Sequence, residues 1–262
     1  VLFRSMNTPS RPRATKIICT IGPATDTSDM LGQLIEAGAN VFRLNMSHSK
    51  HDWVREVVFR IRRKAAELEA NVAILFDLQG PSIRTGDLAE PYHLKKGDTV
   101  EIRLGTAKPE LPFSTTVNYD GLLQDVQAGH TMVVDNGGIL MRIAEVRPDR
   151  LICDVLTEGV FGSRRHINLP GVALRLPALT EKDLADLAVA VECETDYVAM
   201  SFVRDAAHIA QLREHIDNLG GKAQIVAKIE DQQAVRHIDD IILAADVIMV
   251  ARGDLGDRKS VV

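Results

Sequence analysis

Cysteine is scarce in this chain: Cys19, Cys153 and Cys193 are the only three among 262 residues. Their odd number and wide spacing match neither a zinc-ligand pattern nor a disulfide framework, which points to a reducing cytoplasmic setting. No apolar run reaches the ~20 residues that a membrane-spanning helix needs, and no charged, apolar and small-residue series opens the chain as a secretion signal would. The expectation is a soluble, cytoplasmic protein without a membrane partner. A formal net charge of −5 gives no electrostatic footing for nucleic acid as a main partner. Glycine-rich nucleotide signatures are missing too. Neither Gly-x-Gly-x-x-Gly after the first strand nor a Walker A loop occurs, so a Rossmann sheet lacks its marker. The remaining composition, 45% hydrophobic and 26% charged, is that of an ordinary globular protein. It is long enough to bury a substantial core as one large domain or two smaller ones.

Both ends are set aside from fold reasoning. Residues 1–14 read as a polar arm, of which 1–5 precede Met6 and serve no visible structural purpose, and 257–262 follow an interrupted strand–loop motif. Both of these short ends read as foreign. Between them, strand and helix alternate. Strands are expected over 16–21, 40–46 and 71–77, separated by helices over 29–37, capped by Asp26-Thr27-Ser28, and 49–70. This βαβαβ cadence predicts a parallel sheet with both faces covered. It stops at about residue 88. Short alternating strands punctuated by Gly97-Asp98, Ala128-Gly129, Asn136-Gly137-Gly138 and Pro148-Asp149 then run to about 168, predicting an inserted all-β module. Thr180-Glu181-Lys182-Asp183 opens a helix with capping-box spacing, and strands over 197–203, 224–230 and 246–251 follow, alternating with helices over 206–218 and 232–244. The fold class predicted is α/β, a TIM-type (β/α)8 barrel that stops after its sixth strand. Its parts are barrel segments 15–87 and 171–256, with the β module over 88–170 between them.

The chemistry concentrates at strand ends. In Ile225-Val226-Ala227-Lys228-Ile229-Glu230 the alternation turns Lys228 and Glu230 to one face and Ile225, Ala227 and Ile229 to the other. A cation and an anion on so apolar a strand are expensive to desolvate without partners. A self-balancing ion pair is one outcome. The other is a metal site in which Glu230 and Asp254, from Ala251-Arg252-Gly253-Asp254, hold Mg²⁺ through oxygen. The second strand offers Arg43, Asn45 and Ser47 on one face. The third ends in Asp77, followed by Gly80-Pro81 and Arg84. Asn, Ser and Asp oxygens suit a hard cation, and arginines suit phosphate or carboxylate.

Six strings carry a resemblance: Thr15-Lys16-Ile17-Ile18-Cys19-Thr20-Ile21-Gly22-Pro23-Ala24, Arg43-Leu44-Asn45-Met46-Ser47-His48, Asp77-Leu78-Gln79-Gly80-Pro81, Asn168-Leu169-Pro170-Gly171, Val226-Ala227-Lys228-Ile229-Glu230 and Ala251-Arg252-Gly253-Asp254-Leu255-Gly256. In this order, with a β insertion at this place, the set resembles the pyruvate kinase family. The resemblance implies a barrel domain with a lid-like β domain and transfer of a phosphoryl group from phosphoenolpyruvate to ADP, giving pyruvate and ATP. It implies catalytic roles for Lys228 and Arg43, substrate contacts from Arg43, Lys228, Gly253 and Asp254, and Mg²⁺ on Glu230 and Asp254. It further implies K⁺ on Asn45, Ser47, Asp77 and the Leu78 carbonyl, and a nucleotide against Pro23, Asn45, Met46, Ser47, His48, Arg84 and Arg165. A full-length parent would be a homotetramer.

Three positions depart from the family pattern. Ser82 stands where the family has Glu or Lys, Asn136 replaces the second Asp of an Asp-Asp pair after Asp135, and Asp231 follows Lys-Ile-Glu. Without a lysine at 82 to stand in for the ion, K⁺ activation is expected. The family's seventh-strand threonine and C-terminal domain have no counterpart here, so the chain reads as an incomplete and inactive piece. An Mg²⁺-dependent aldolase or lyase acting on a pyruvate enolate is the alternative.

Overall fold

In the computed structural model, residues 14–135, 137–172, 174–230 and 232–251 are described. Aliphatic residues form β1 (Ile18–Ile21), and Thr27 caps α1 (Ser28–Glu36) by accepting the Met30 amide. The first strand begins two residues later than its apolar pattern. The Ile17 amide instead bonds the Asn40 side chain at 2.9 Å and ties the entry of β1 to that of its neighbour. That neighbour is β2 (Val41–Asn45), followed by α2 (His51–Glu67), whose Val54, Val57, Val58, Ile61 and Ala65 are buried at helical spacing. Then comes β3 (Ala73–Asp77).

The all-β stretch follows: β4 (Tyr92–Leu94), β5 (Thr99–Arg103) and β6 (Ser114–Thr116), one short helix α3 (Leu122–Asp125), then β7 (Thr131–Val134), β8 (Ile139–Val146), β9 (Arg150–Val155), β10 (Gly159–Phe161) and β11 (Ile167–Asn168). Six of these strands make one sheet in the order β11-β7-β8-β9-β5-β6, and β4 pairs with β10. Val100, Ile102, Met132, Met141, Ile143, Leu151 and Phe161 fill a core of their own.

The chain returns through α4 (Glu181–Glu192), opened by the predicted capping box with both Thr180–Asp183 bonds formed. After it come β12 (Tyr197–Met200), α5 (Ala206–Asn218) and β13 (Gln224–Ile229). The single helix expected over 232–244 is two, α6 (Gln232–Arg236) and α7 (Ile238–Ala244). They part at His237, whose backbone leaves helical values (φ −106, ψ 20) while its Nδ1 sits 2.9 Å from the Arg204 carbonyl. Last comes β14 (Val247–Val250).

β1-β2-β3-β12-β13-β14 form one sheet, parallel throughout and in chain order. An unreversed order belongs to barrel-type α/β folds, because doubly wound sheets reverse direction at a switch point. Phe42, Leu44, Ile74, Phe76, Val198, Ile225 and Ala227 face the helices, while Leu75, Ala199 and Val226 face the opposite side. Among the described residues, no helix is long and apolar enough to cross a membrane.

Cys153, on β9, is fully buried, and burial, with Asp154 adding to it, pushes its thiol up to about 12. Cys19 and Cys193 are only partly buried. A thiol reagent at neutral pH is expected to spare Cys153 in the native chain and to modify it only on unfolding. Thiol titration with and without denaturant checks this; native-state labelling of Cys153 as fast as Cys19 would contradict it.

Candidate active site

The strands of the parallel sheet deliver their polar residues at one end. β2 alternates, so Phe42, Leu44 and Met46 are buried against the helices, whereas Arg43, Asn45 and Ser47 line a polar cavity of about 270 Å³. Asp77 and Leu78 at the end of β3, Ser201 and Phe202 after β12, and Lys228 and Glu230 at the end of β13 line the same cavity. The β module supplies the facing wall with Asp135, Arg164, Arg165 and His166.

Lys228 is the hub. Its Nζ lies 2.9 Å from Glu230 Oε1 and 3.2 Å from Asp77 Oδ1, and donates to Ser201 Oγ at 2.7 Å. Burial works against the ammonium, but the nearby Glu230 and Asp77 carboxylates more than offset it. The pKa therefore stands above the ordinary lysine value. Asp77, 2% exposed, also takes Arg43, with Nε at 2.7 Å and Nη2 at 2.6 Å from Oδ2. Arg43 Nη1 donates to Thr20 Oγ1 at 2.8 Å. Lys228 and Glu230 do form the ion pair that one reading of the strand anticipated. They form it within a larger cluster, at a cavity that carries further arginines.

Ser201 and Phe202 escaped the reading of the sequence, which continued the strand through them to 203. The strand stops at Met200. Phe202 adopts φ 55, a left-handed conformation costly for a bulky residue. It aims its N–H at Glu230 Oε2 (2.6 Å), and its ring stacks on His166 of the facing wall, with centroids 5.8 Å apart. A serine ending an apolar strand was the only available signal.

Of the residues anticipated from the sequence, Arg43, Asn45, Ser47, Asp77, Leu78, Arg84, Arg165, Lys228 and Glu230 line this cavity. Pro23, Met46 and His48 do not. Pro23 and His48 are exposed elsewhere, and the Met46 side chain is fully buried in the helix-facing core, leaving only its backbone for a ligand. Arg252, Gly253 and Asp254, with Asn136 and Asp231, lie outside the described residues. Arg165 Nη1 stands 3.4 Å from Asp135, and Arg84 Nε donates to Ser82 Oγ at 3.3 Å.

Asn45, Ser47, Asp77 and Leu78 offer only oxygen donors, a set that suits an alkali or hard divalent cation rather than a transition metal. Asn45 Oδ1 accepts the Ser47 amide and the Leu78 carbonyl accepts Ser201 Oγ, and each keeps a lone pair. Glu230 is a single carboxylate whose two oxygens meet the Phe202 amide and the Lys228 ammonium. Among the described residues, no three His, Cys, Asp or Glu side chains converge as a metal cluster. One or two carboxylates suffice for Mg²⁺, which keeps waters and takes substrate oxygens.

The family model described as "Pyruvate kinase, barrel domain" matches residues 12–258. The chain is 39% identical over 251 residues to plastidial pyruvate kinase 2 of Arabidopsis thaliana, covering 95% of this chain and 43% of that protein. It is 38% identical over 245 residues to a pyruvate kinase of Mycobacterium tuberculosis, covering 93% and 52%, and 36% identical over 247 residues to one of Staphylococcus aureus, covering 93% and 42%. The chain thus spans about half the length of the curated relatives it matches.

Proposed function

Because this chain belongs to the pyruvate kinase family, we propose that its cavity handles the transfer of a phosphoryl group from phosphoenolpyruvate to ADP. The observation that carries this reading is the Lys228 ammonium, desolvated yet held charged by two carboxylates at a cavity rich in arginine. In the transfer, the bond from phosphorus to the enol oxygen breaks, one to the terminal phosphate of ADP forms, and the enol carbon then takes up a proton. Such chemistry needs positioning and charge neutralisation more than covalent help. Lys228 balances the charge left on the enol oxygen. Arg43, already oriented by Asp77 and Thr20, grips the phosphoryl group. Arg84 and Arg165 serve the nucleotide phosphates, with the nucleotide lying along Pro23 and residues 45–48. Gly253 and its neighbours would contribute backbone N–H groups to the substrate. Glu230 and Asp254 would hold Mg²⁺, and Asn45, Ser47, Asp77 and the Leu78 carbonyl would hold K⁺. These ions supply positive charge to the phosphate and carboxylate oxygens. Ser82 brings no ammonium that could replace K⁺, which supports K⁺ activation.

The β module (88–170) acts in this reading as a lid over the barrel segments. Its separate core supports that role. So does the segment leading back to the barrel, where Arg204 holds the Leu174 and Leu176 carbonyls at 2.7 and 2.5 Å. Arg175, between them, instead reaches Asp125 of the β module at 2.6 Å.

Pyruvate formation from phosphoenolpyruvate and ADP, titrated with Mg²⁺ in a chain context where the unsubstituted sequence turns over, tests the proposal. Glu230→Gln keeps an oxygen for the Phe202 amide but removes the charge. It should raise the half-saturating Mg²⁺ concentration by at least the ~10-fold that losing even an outer partner costs a metal site. An unchanged Mg²⁺ titration would remove Glu230 from the metal site.

A further inference from the structure

Helix α4 carries two fully buried carboxylates, Asp183 and Asp186, that do not line the cavity. Three residues apart, they lie on one helix face. Asp183 Oδ2 accepts the Thr180 amide and hydroxyl at 2.8 and 2.6 Å, while Oδ1 reaches across 103 residues of sequence to accept the Gly80 amide at 3.0 Å. Asp186 is shared between Lys182 Nζ at 2.6 Å and His51 Nε2 at 2.7 Å. Lys182 Nζ also donates to the Met46 carbonyl at 2.7 Å. One helix therefore grips both loops that present Asn45, Ser47, Asp77 and Leu78. Met46 sits between Asn45 and Ser47, and Gly80 lies two residues beyond Leu78.

The two loops have little slack of their own. The Met46 amide bonds the Asp77 carbonyl at 3.0 Å, joining one loop to the other. Gly80 has φ +70, and a Cβ there would stand 2.9 Å from Ser201 Cβ. Oxygens gathered around one cation repel each other before it arrives, and a scaffold that holds them together lowers the cost of binding. A buried carboxylate cannot release its partners cheaply, which makes the brace firm.

We propose that Lys182, Asp183 and Asp186 are positioning residues that set the monovalent-cation affinity of the Asn45, Ser47, Asp77 and Leu78 oxygens from outside the cavity. The inference rests on reading those four as a cation site.

Thermal unfolding of the full chain in KCl, against tetramethylammonium chloride at equal ionic strength, reads K⁺-specific stabilisation. The unsubstituted chain should be stabilised by K⁺. Lys182→Met and Asp183→Ala should each raise the half-saturating K⁺ concentration about tenfold. Asp183→Asn, which retains an oxygen for the Gly80 amide, should recover most of that loss. A purely structural role would lower the melting temperature equally in both salts and leave half-saturation unmoved, which overturns the inference alone. No K⁺-specific shift in the unsubstituted chain overturns both the inference and the cation-site reading. If Asp183→Ala does not fold, Lys182→Met decides, because that side chain is 41% exposed and Asp186 keeps its contact with His51.

Discussion

Replacing Lys228 by methionine is expected to cut pyruvate formation by about a hundred- to a thousandfold, or ~2.7–4 kcal/mol of transition-state stabilisation. The Lys228 side chain is 12% exposed and its ammonium contacts both Glu230 and Asp77; methionine keeps the stem while removing the charge. The comparison belongs in a chain context where the unsubstituted sequence turns over, with melting curves recorded beside the kinetics. Retention of more than about a tenth of kcat, a loss under ~1.4 kcal/mol, would argue against a catalytic role. Stability offers a second reading. Because the folded pKa of Lys228 is raised, its contribution is complete below the ordinary lysine pKa and is lost as pH rises through the folded value. The alkaline fall in stability should therefore be steeper in the unsubstituted chain than in Lys228→Met. Equal alkaline limbs would mean that the ammonium is not held as described.

Arg150→Met should lower the unfolding midpoint of the β module, because it takes from the Glu101 carboxylate its nearest cation. Glu101 is fully buried and the Arg150 side chain is 5% exposed; Nη1 meets Glu101 Oε2 at 2.8 Å, and Nε and Nη2 bind Asp149 at 2.9 and 2.8 Å. Burial pushes the Glu101 carboxyl up, but bonds from Ser114, the Glu110 amide and Arg150 together bring it below the ordinary glutamate range. A depressed pKa means stability that is present above the ordinary value and lost as pH falls through the folded one. Arg150→Met should thus weaken the acid limb as well as the midpoint. Changing Glu101 to Met in the same chain should recover part of the loss, since no carboxylate is then left without its cation, although the Glu110 amide loses its acceptor. Denaturant unfolding followed by amide exchange on β5 and β9 measures both variants. An unchanged midpoint in the single variant would show that burial does not govern this contact.

Local sequence determined a good deal of this protein. The alternation in β2 and β13 placed Arg43, Asn45, Lys228 and Glu230 on the polar side. The Thr180–Asp183 spacing announced the capping box, and the change of period near residue 88 precedes the strands that pair in sheets of their own. Each of these rests on neighbours a few residues apart, whose geometry the backbone period dictates. The tertiary structure decided the rest. It decided that β12 stops short so that Ser201 and Phe202 face Lys228 and Glu230, and that His237 splits a helix against the Arg204 carbonyl. It also decided that Asp183 and Lys182 reach the Gly80 amide and the Met46 carbonyl. These pairings join residues from 27 to 136 positions apart. No periodicity carries across such a distance; only the packing of helix on sheet brings the groups within hydrogen-bond reach, and only burial there makes each bond costly to lose.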